Sequence, residues 1–122
     1  MPSVLIVDDE PNIRRMVGAL LAAEGYEVRE APDGARGVAL ATESEPDIAL
    51  VDLMMPGMDG YEVCRRLVSD AATKRIPIVL LTARQNLEPD RVRASGARGV
   101  ITKPFDLDAL APAILELASE QR

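Results

Sequence analysis

Five short apolar runs, each followed by an amphipathic stretch, recur along the 122 residues, and this alternation constrains the fold more than any other feature. The runs are Ser3–Asp8 (SVLIVD), Glu27–Glu30, Asp47–Val51 (DIALV), Ile76–Leu81 (IPIVLL) and Gly99–Thr102. Three of them are almost continuous Val, Ile, Leu and Ala, the pattern of strands covered on both faces. The stretches between them read as helices. Ile13, Met16, Val17, Leu20 and Leu21 keep helical spacing behind Pro11, with Gly25 as a stop. Asp33 is placed to cap a second helix running to about Ser44, with Val38 and Ala39 on its inner side. Val63, Cys64, Leu67 and Val68 mark a third helix opened by Asp59, and Pro89–Ser95 a short fourth that closes at Gly96. Leu107, Leu110, Ala111, Ile114 and Ala118 form the stripe of a fifth, with Asp106 as its cap.

Strand and helix alternating in this way predict a parallel sheet with right-handed crossovers. The expected architecture is a three-layer, doubly wound (βα)5 sandwich whose five-stranded parallel sheet has the order 2-1-3-4-5. Ligands of such sheets sit beyond the carboxyl ends of the strands, near the switch point. A length of 122 residues suits one domain spanning 1–122, and a hydrophobic fraction of 48% is ample for one core.

Composition removes several classes of function. The net charge is −6 with no Lys/Arg-rich run, which argues against direct nucleic-acid binding. The single cysteine, Cys64, allows neither an internal disulfide nor a cysteine metal cluster. No histidine is present, so the chain supplies no imidazole ligand, base or phosphohistidine of its own. No apolar stretch reaches membrane-spanning length and no leader pattern opens the chain, so a cytoplasmic location without membrane contact is expected.

The polar residues at the strand ends carry the chemistry. The first strand runs into Asp8, Asp9 and Glu10, the third into Asp52, the fourth into Thr82 and the fifth into Lys103. The predicted topology sets all of them on one edge and makes the first and third strands neighbours. Singly, an acid after a strand is an ordinary turn former or cap, and a lysine an ordinary surface residue. Together they need a further reason. Two carboxylates ~4 Å apart repel by roughly 4 kcal/mol at an effective dielectric near 20, so such a cluster calls for a cation or a shared proton. A few oxygen ligands open to solvent suit Mg²⁺ better than Zn²⁺. A carboxylate nucleophile, a divalent metal, an ammonium and a hydroxyl together describe phosphoryl transfer to an aspartate.

The same residues spell a family. VLIVDDEPNIRR at 4–15, DIALVDLMMPGMDG at 47–60, IPIVLLTA at 76–83 and GVITKPF at 99–105 closely resemble response-regulator receiver domains of two-component signal transduction, over essentially the whole chain. The resemblance implies a flavodoxin-like fold with no effector domain in these residues. It implies that Asp52 accepts a phosphoryl group from the phosphohistidine of a sensor histidine kinase or phosphotransfer protein. Asp9, Asp52 and the Met54 backbone carbonyl would bind Mg²⁺, and Asp8 would act largely through a bound water. Lys103 would pair with a phosphoryl oxygen, Thr82 would hydrogen-bond the phosphoryl group, and Ala83 would keep the approach open. The only catalysis implied is capture and slow hydrolysis of that group. Output would pass to an unidentified downstream protein through the face of the fourth helix, fifth strand and fifth helix, from a monomer or weak dimer. Pro56, Gly57 and Gly60 fit the turn after the third strand as scaffold, a cis Lys103–Pro104 bond would aim the lysine, and Phe105 would pack beneath it. Cys64 reads as an inert buried thiol and Glu10 as a surface acid.

Several positions depart from the family pattern. Where many receivers carry Tyr or Phe three residues before the lysine, this chain has Val100, so an aromatic switch cannot operate there. Arg98 and Gly99 stand where winged-helix regulators carry a paired acid, and the last helix has no basic residue before Arg122, which discounts that symmetric dimer. Met54 and Arg84 occupy positions that tune self-dephosphorylation in the family. Small-molecule aspartyl-phosphate phosphatases are the enzymatic alternative. They use a second acid where Met54 stands and a cap for which the chain has no insertion. A phosphate-independent scaffold would have lost the acceptor, an acid or the lysine, and all are present.

Overall fold

The computed structural model describes residues 2–84, 86–103 and 106–119. Its elements run β1 (Ser3–Val7), α1 (Pro11–Ala23), β2 (Glu27–Ala31), α2 (Gly34–Ser44), β3 (Ile48–Asp52), α3 (Gly60–Ser69), β4 (Ile78–Thr82), α4 (Pro89–Ser95), β5 (Gly99–Thr102) and α5 (Leu107–Ser119). The strands form one parallel sheet of order β2-β1-β3-β4-β5, the expected doubly wound arrangement. The Lys103–Pro104 bond, Phe105, Gln121 and Arg122 lie outside the described residues. No helix among those described is long and apolar enough to cross a membrane.

Alternation along the central strands builds two cores. Leu5, Val7, Ala49, Val51, Ile78 and Leu80 face α2, α3 and α4. Val4, Ile6, Ile48, Leu50, Val79 and Leu81 face α1 and α5. Every residue of β3 and β4 is buried, which is why those segments read as unbroken apolar runs rather than alternating ones. Cys64 is buried among the first set, and burial pushes its thiol up to about 12, so it stays a neutral packing group.

Local signals fix the helix ends. Asp33 Oδ1 accepts from Arg36 N at 2.8 Å and Asp59 Oδ1 from Glu62 N at 2.9 Å, each satisfying an orphan donor worth about 1 kcal/mol. Pro11 and Pro89 open α1 and α4, where no N–H is needed. Gly96 ends α4 with φ +94, a left-handed turn that a side chain would resist. Asp106 accepts from Asp108 N at 3.0 Å at the start of α5.

Three details differ from expectation. Met16 is 39% exposed, and the buried stripe of α1 is Val17, Gly18 and Leu21, flanked by Ile13 and Leu20. The inner side of α2 is Gly34, Gly37 and Ala41 with Val38, not Val38 and Ala39. A Cβ on Gly37 would come 2.7 Å from Val7 Cγ2, so glycine there lets the helix lie against β1. The fourth strand begins at Ile78 rather than Ile76: Ile76 N donates to Thr73 O in a turn, and Pro77 has no N–H to give a ladder.

Candidate functional site

Parallel register sets the geometry of the carboxyl edge. Val7 pairs with Val51, so Asp8, one residue past β1, comes beside Asp52, the last residue of β3. Thr82 ends β4 in register with Thr102, and Lys103 follows, its N–H donating to Thr82 O at 2.7 Å. The predicted Asp8, Asp9, Asp52, Thr82 and Lys103 therefore converge on one edge. Asp8, Asp52 and Thr82 are buried, while Asp9 is exposed at the rim.

Asp8, Asp9 and Asp52 each offer a carboxylate oxygen within 4.8 Å of the others. Lys103 Nζ lies 3.0 Å from Asp8 Oδ2, 3.7 Å from Asp52 Oδ1 and 3.8 Å from Glu10 Oε1. Only the first is a hydrogen bond. The ammonium is thus committed to Asp8 and leans on Asp52. Burial works against its charge, but the hydrogen bond and charge of Asp8, with Asp52 and Glu10 behind them, outweigh that and raise its pKa above the ordinary value.

One cation does not balance this many anions. Burial first, and then the charge of Asp8, push the Asp52 carboxyl from 3.8 up to about 6, against the pull of Lys103 and of the Met54 amide. That amide donates to Asp52 Oδ1 at 3.2 Å and aims the carboxylate. A divalent cation among the three carboxylates would remove the excess charge. The all-oxygen donor set, with one member at the solvent rim, fits a hard ion such as Mg²⁺.

Two groups that sequence reasoning passed over support the acidic turn. Arg14 Nη1 donates to the backbone oxygen of Asp8 at 2.7 Å, and its Nε to Glu30 Oε1 at 3.3 Å, tying α1 and β2 to the Asp8–Asp9 peptide. The signal was available, since Arg14 stands three, four and seven residues before the buried Val17, Gly18 and Leu21. A charge on the buried stripe of a helix needs a partner. Glu10 reads from the sequence as a surface acid. It is indeed exposed, yet its carboxylate reaches Lys103 and its N–H donates to Asp8 Oδ1 at 2.9 Å.

Thr82 Oγ1 accepts from Arg84 N at 3.0 Å; a hydroxyl accepts and donates at once, so its proton remains a donor for an anion at the edge. Gly57 takes φ +78 in the turn after β3. Gly60 is required for a different reason than turn strain. A Cβ there would stand 2.7 Å from Asp52 O and from Leu53 Cα. Met54 is exposed at the mouth, and Val100 is half-buried against the first core.

Comparison with known proteins gives the same picture. A family model described as response regulator receiver domain matches residues 4–115. Protein PilH of Pseudomonas aeruginosa is 40% identical over 112 residues, covering 90% of this chain and 92% of that protein. The DNA-binding dual master transcriptional regulator RpaA of Synechocystis sp. is 43% identical over 112 residues, which are 90% of this chain but 46% of RpaA. Response regulator PleD of Caulobacter vibrioides is 49% identical over 106 residues, 84% of this chain and 23% of PleD. The chain therefore spans less than half the length of these two longer relatives. Among solved structures, the chemotaxis response regulator CheY4 of Vibrio cholerae matches with a TM-score of 0.90 at 35% identity, covering 96% of this chain and 98% of that one. In sequence and in fold alike, the chain belongs to the response regulator receiver domain family.

Proposed function

We propose that this domain captures a phosphoryl group on Asp52 from the phosphohistidine of a sensor histidine kinase or phosphotransfer protein, and that the added charge switches binding to a downstream protein. The observation that carries the reading is the convergence of Asp8, Asp9, Asp52, Thr82 and Lys103 on one sheet edge, with Asp52 aimed by the Met54 amide. In the transfer, an Asp52 oxygen attacks phosphorus, the phosphorus–nitrogen bond breaks, and the departing histidine nitrogen ends protonated. Mg²⁺ held by Asp9, Asp52 and the Met54 carbonyl, with Asp8 acting through water, would neutralise charge on the phosphoryl oxygens. Lys103 moves from Asp8 toward a phosphoryl oxygen, a shift of partner between groups already 3.0 and 3.7 Å from its Nζ. Thr82 donates its hydroxyl to another oxygen, and Ala83, small and exposed, leaves the approach open.

The rest of the reading follows from the same chemistry. Residues 1–122 act as a single receiver unit in the cytoplasm, without direct nucleic-acid contact, as a monomer or weak dimer. Their own catalysis is limited to phosphoryl capture and slow hydrolysis. Reorganisation at Thr82 passes through Arg84 to α4, and the face of α4, β5 and α5 presents it to the partner. Val100 supplies no ring for that face, so the change is carried by the α4 surface. Beryllium fluoride, a phosphoryl mimic, tests this: with Mg²⁺ it should shift the amide resonances of Thr82, Arg84 and α4 in wild type and not in Asp52→Ala. Saturating mimic that leaves α4 unmoved contradicts the switch.

A further inference from the structure

Beside the acidic cluster, a cavity of about 470 Å³ opens between the β3–α3 turn and α4. Its size falls in the range that holds a small organic ligand. Asp8, Asp9 and Asp52 do not line it. Met54, Met55, Asp59, Tyr61, Arg84 and Arg91 do. The Arg91 guanidinium lies over the Tyr61 ring, 4.3 Å from its centroid, and Arg84 brings a second guanidinium. Asp59, the one carboxylate, has its Oδ1 engaged in capping α3. In a chain of net charge −6, a concave site with two guanidiniums against one engaged carboxylate selects anions.

We propose that this cavity binds a small planar organic anion, a carboxylate or phosphate monoester on an aromatic or conjugated body, and that its occupancy slows phosphoryl capture at the neighbouring site. Stacking on Tyr61 holds Arg91 in one orientation, so little of its freedom is lost when its planar fork pairs with an anion. The thioethers of Met54 and Met55 give the flat body an adaptable apolar wall. Two backbone amides link the cavity to the acidic edge. Met54 lines the cavity while its N–H donates to Asp52 Oδ1. Arg84 lines it while its N–H donates to Thr82 Oγ1. An anion on Arg84 therefore holds both residues in place and sets a further negative charge beside Asp52, against an incoming anionic donor.

Binding is a property of the cavity and can be read without any phosphorylation. The test titrates benzoate and phenyl phosphate, with benzyl alcohol as the uncharged control, against the Met54 and Met55 methyl and Tyr61 ring resonances. Both anions should give saturable shifts, and benzyl alcohol should bind about tenfold more weakly, as expected for loss of a charge-assisted hydrogen bond. Arg84→Gln and Arg91→Gln should each weaken the anions by about tenfold, and Arg91→Lys, which keeps the charge without the fork, by less. Arg65→Gln, outside the cavity, should leave binding unchanged, and Asp52→Asn, which removes a neighbouring negative charge, should tighten rather than weaken it, which keeps the result readable if Asp52 is not the acceptor. Saturating benzoate should then slow phosphorylation by acetyl phosphate several-fold in wild type and not in Arg91→Gln. Absence of saturable shifts, equal binding of benzyl alcohol, or indifference to both glutamine variants overturns the site. Binding with an unchanged phosphorylation rate overturns the coupling.

Discussion

Asp52 is only 4% exposed and sits beside Asp8, which is why its carboxyl is held at about 6 instead of 3.8. The consequence for stability has a definite sign. Between those two values the native protein keeps a proton that the unfolded chain has lost, so metal-free stability falls as pH rises from about 4 to 6. At roughly 1.4 kcal/mol per unit the loss is at most about 3 kcal/mol. Asp52→Asn removes it, and urea unfolding in EDTA should show the variant gaining on wild type across that window. Parallel pH profiles for the two proteins contradict the account. Lys103 acts in the other direction, so Lys103→Met should raise the Asp52 titration further, read from its carboxyl carbon resonance; an unchanged titration removes Lys103 from the site. Arg14 supports the Asp8–Asp9 peptide from behind, and Arg14→Ala should weaken Mg²⁺ binding by about tenfold, measured by calorimetry. At this scale the acids, the threonine and the lysine were legible because each stands at a strand end. Arg14 was overlooked because its role depends on which face of α1 is buried, and the large side chain of Met16 suggested a face one residue away.

The β3–α3 connection shows how an element can control a residue within it. Gly60 N donates to Leu53 O, and the helix starts so close to the end of β3 that any side chain at Gly60 meets backbone. Gly60→Ala should cost about 1–3 kcal/mol and displace the amide that aims Asp52. Urea unfolding, together with the Met54 amide shift, checks both; a neutral substitution contradicts the packing. Alternating apolar runs and amphipathic stretches, together with Asp33, Asp59, Pro89 and Gly96, located all ten elements, because strand and helix periods differ and caps are local. Hydropathy misled where burial and ladder pairing part company. Ile76 is core yet precedes the strand, since Pro77 interrupts its amides. The inner face of α2 was hidden because Gly34 and Gly37 carry no hydrophobic signal, although Gly37 lies against Val7 of β1 and Gly34 against Met58 and Val63.

At the scale of the whole molecule, a fold with two cores and no unsatisfied buried side-chain polar atom among the described residues gathers three carboxylates at one edge of the sheet. Metal binding there should stabilise the entire domain, because the unfolded chain scatters the three carboxylates. At ten times its dissociation constant Mg²⁺ should add about 1.4 kcal/mol, a rise of roughly 5 °C in Tm. The rise should vanish in Asp9→Asn with Asp52→Asn, and an equal rise in that double variant contradicts a site at these residues. The topology was legible as a whole, since parallel strands joined by helices admit few arrangements. The cavity beside Met54, Tyr61 and Arg91 was not, because it is formed by a turn and a helix whose approach no local pattern records. The most direct test of the central claim is phosphorylation by acetyl phosphate, read by intact mass with and without Mg²⁺. Wild type should gain one base-labile phosphoryl group only with the metal, and Asp52→Ala should gain none. An equal gain in Asp52→Ala, or a gain in wild type that ignores Mg²⁺, would contradict the account.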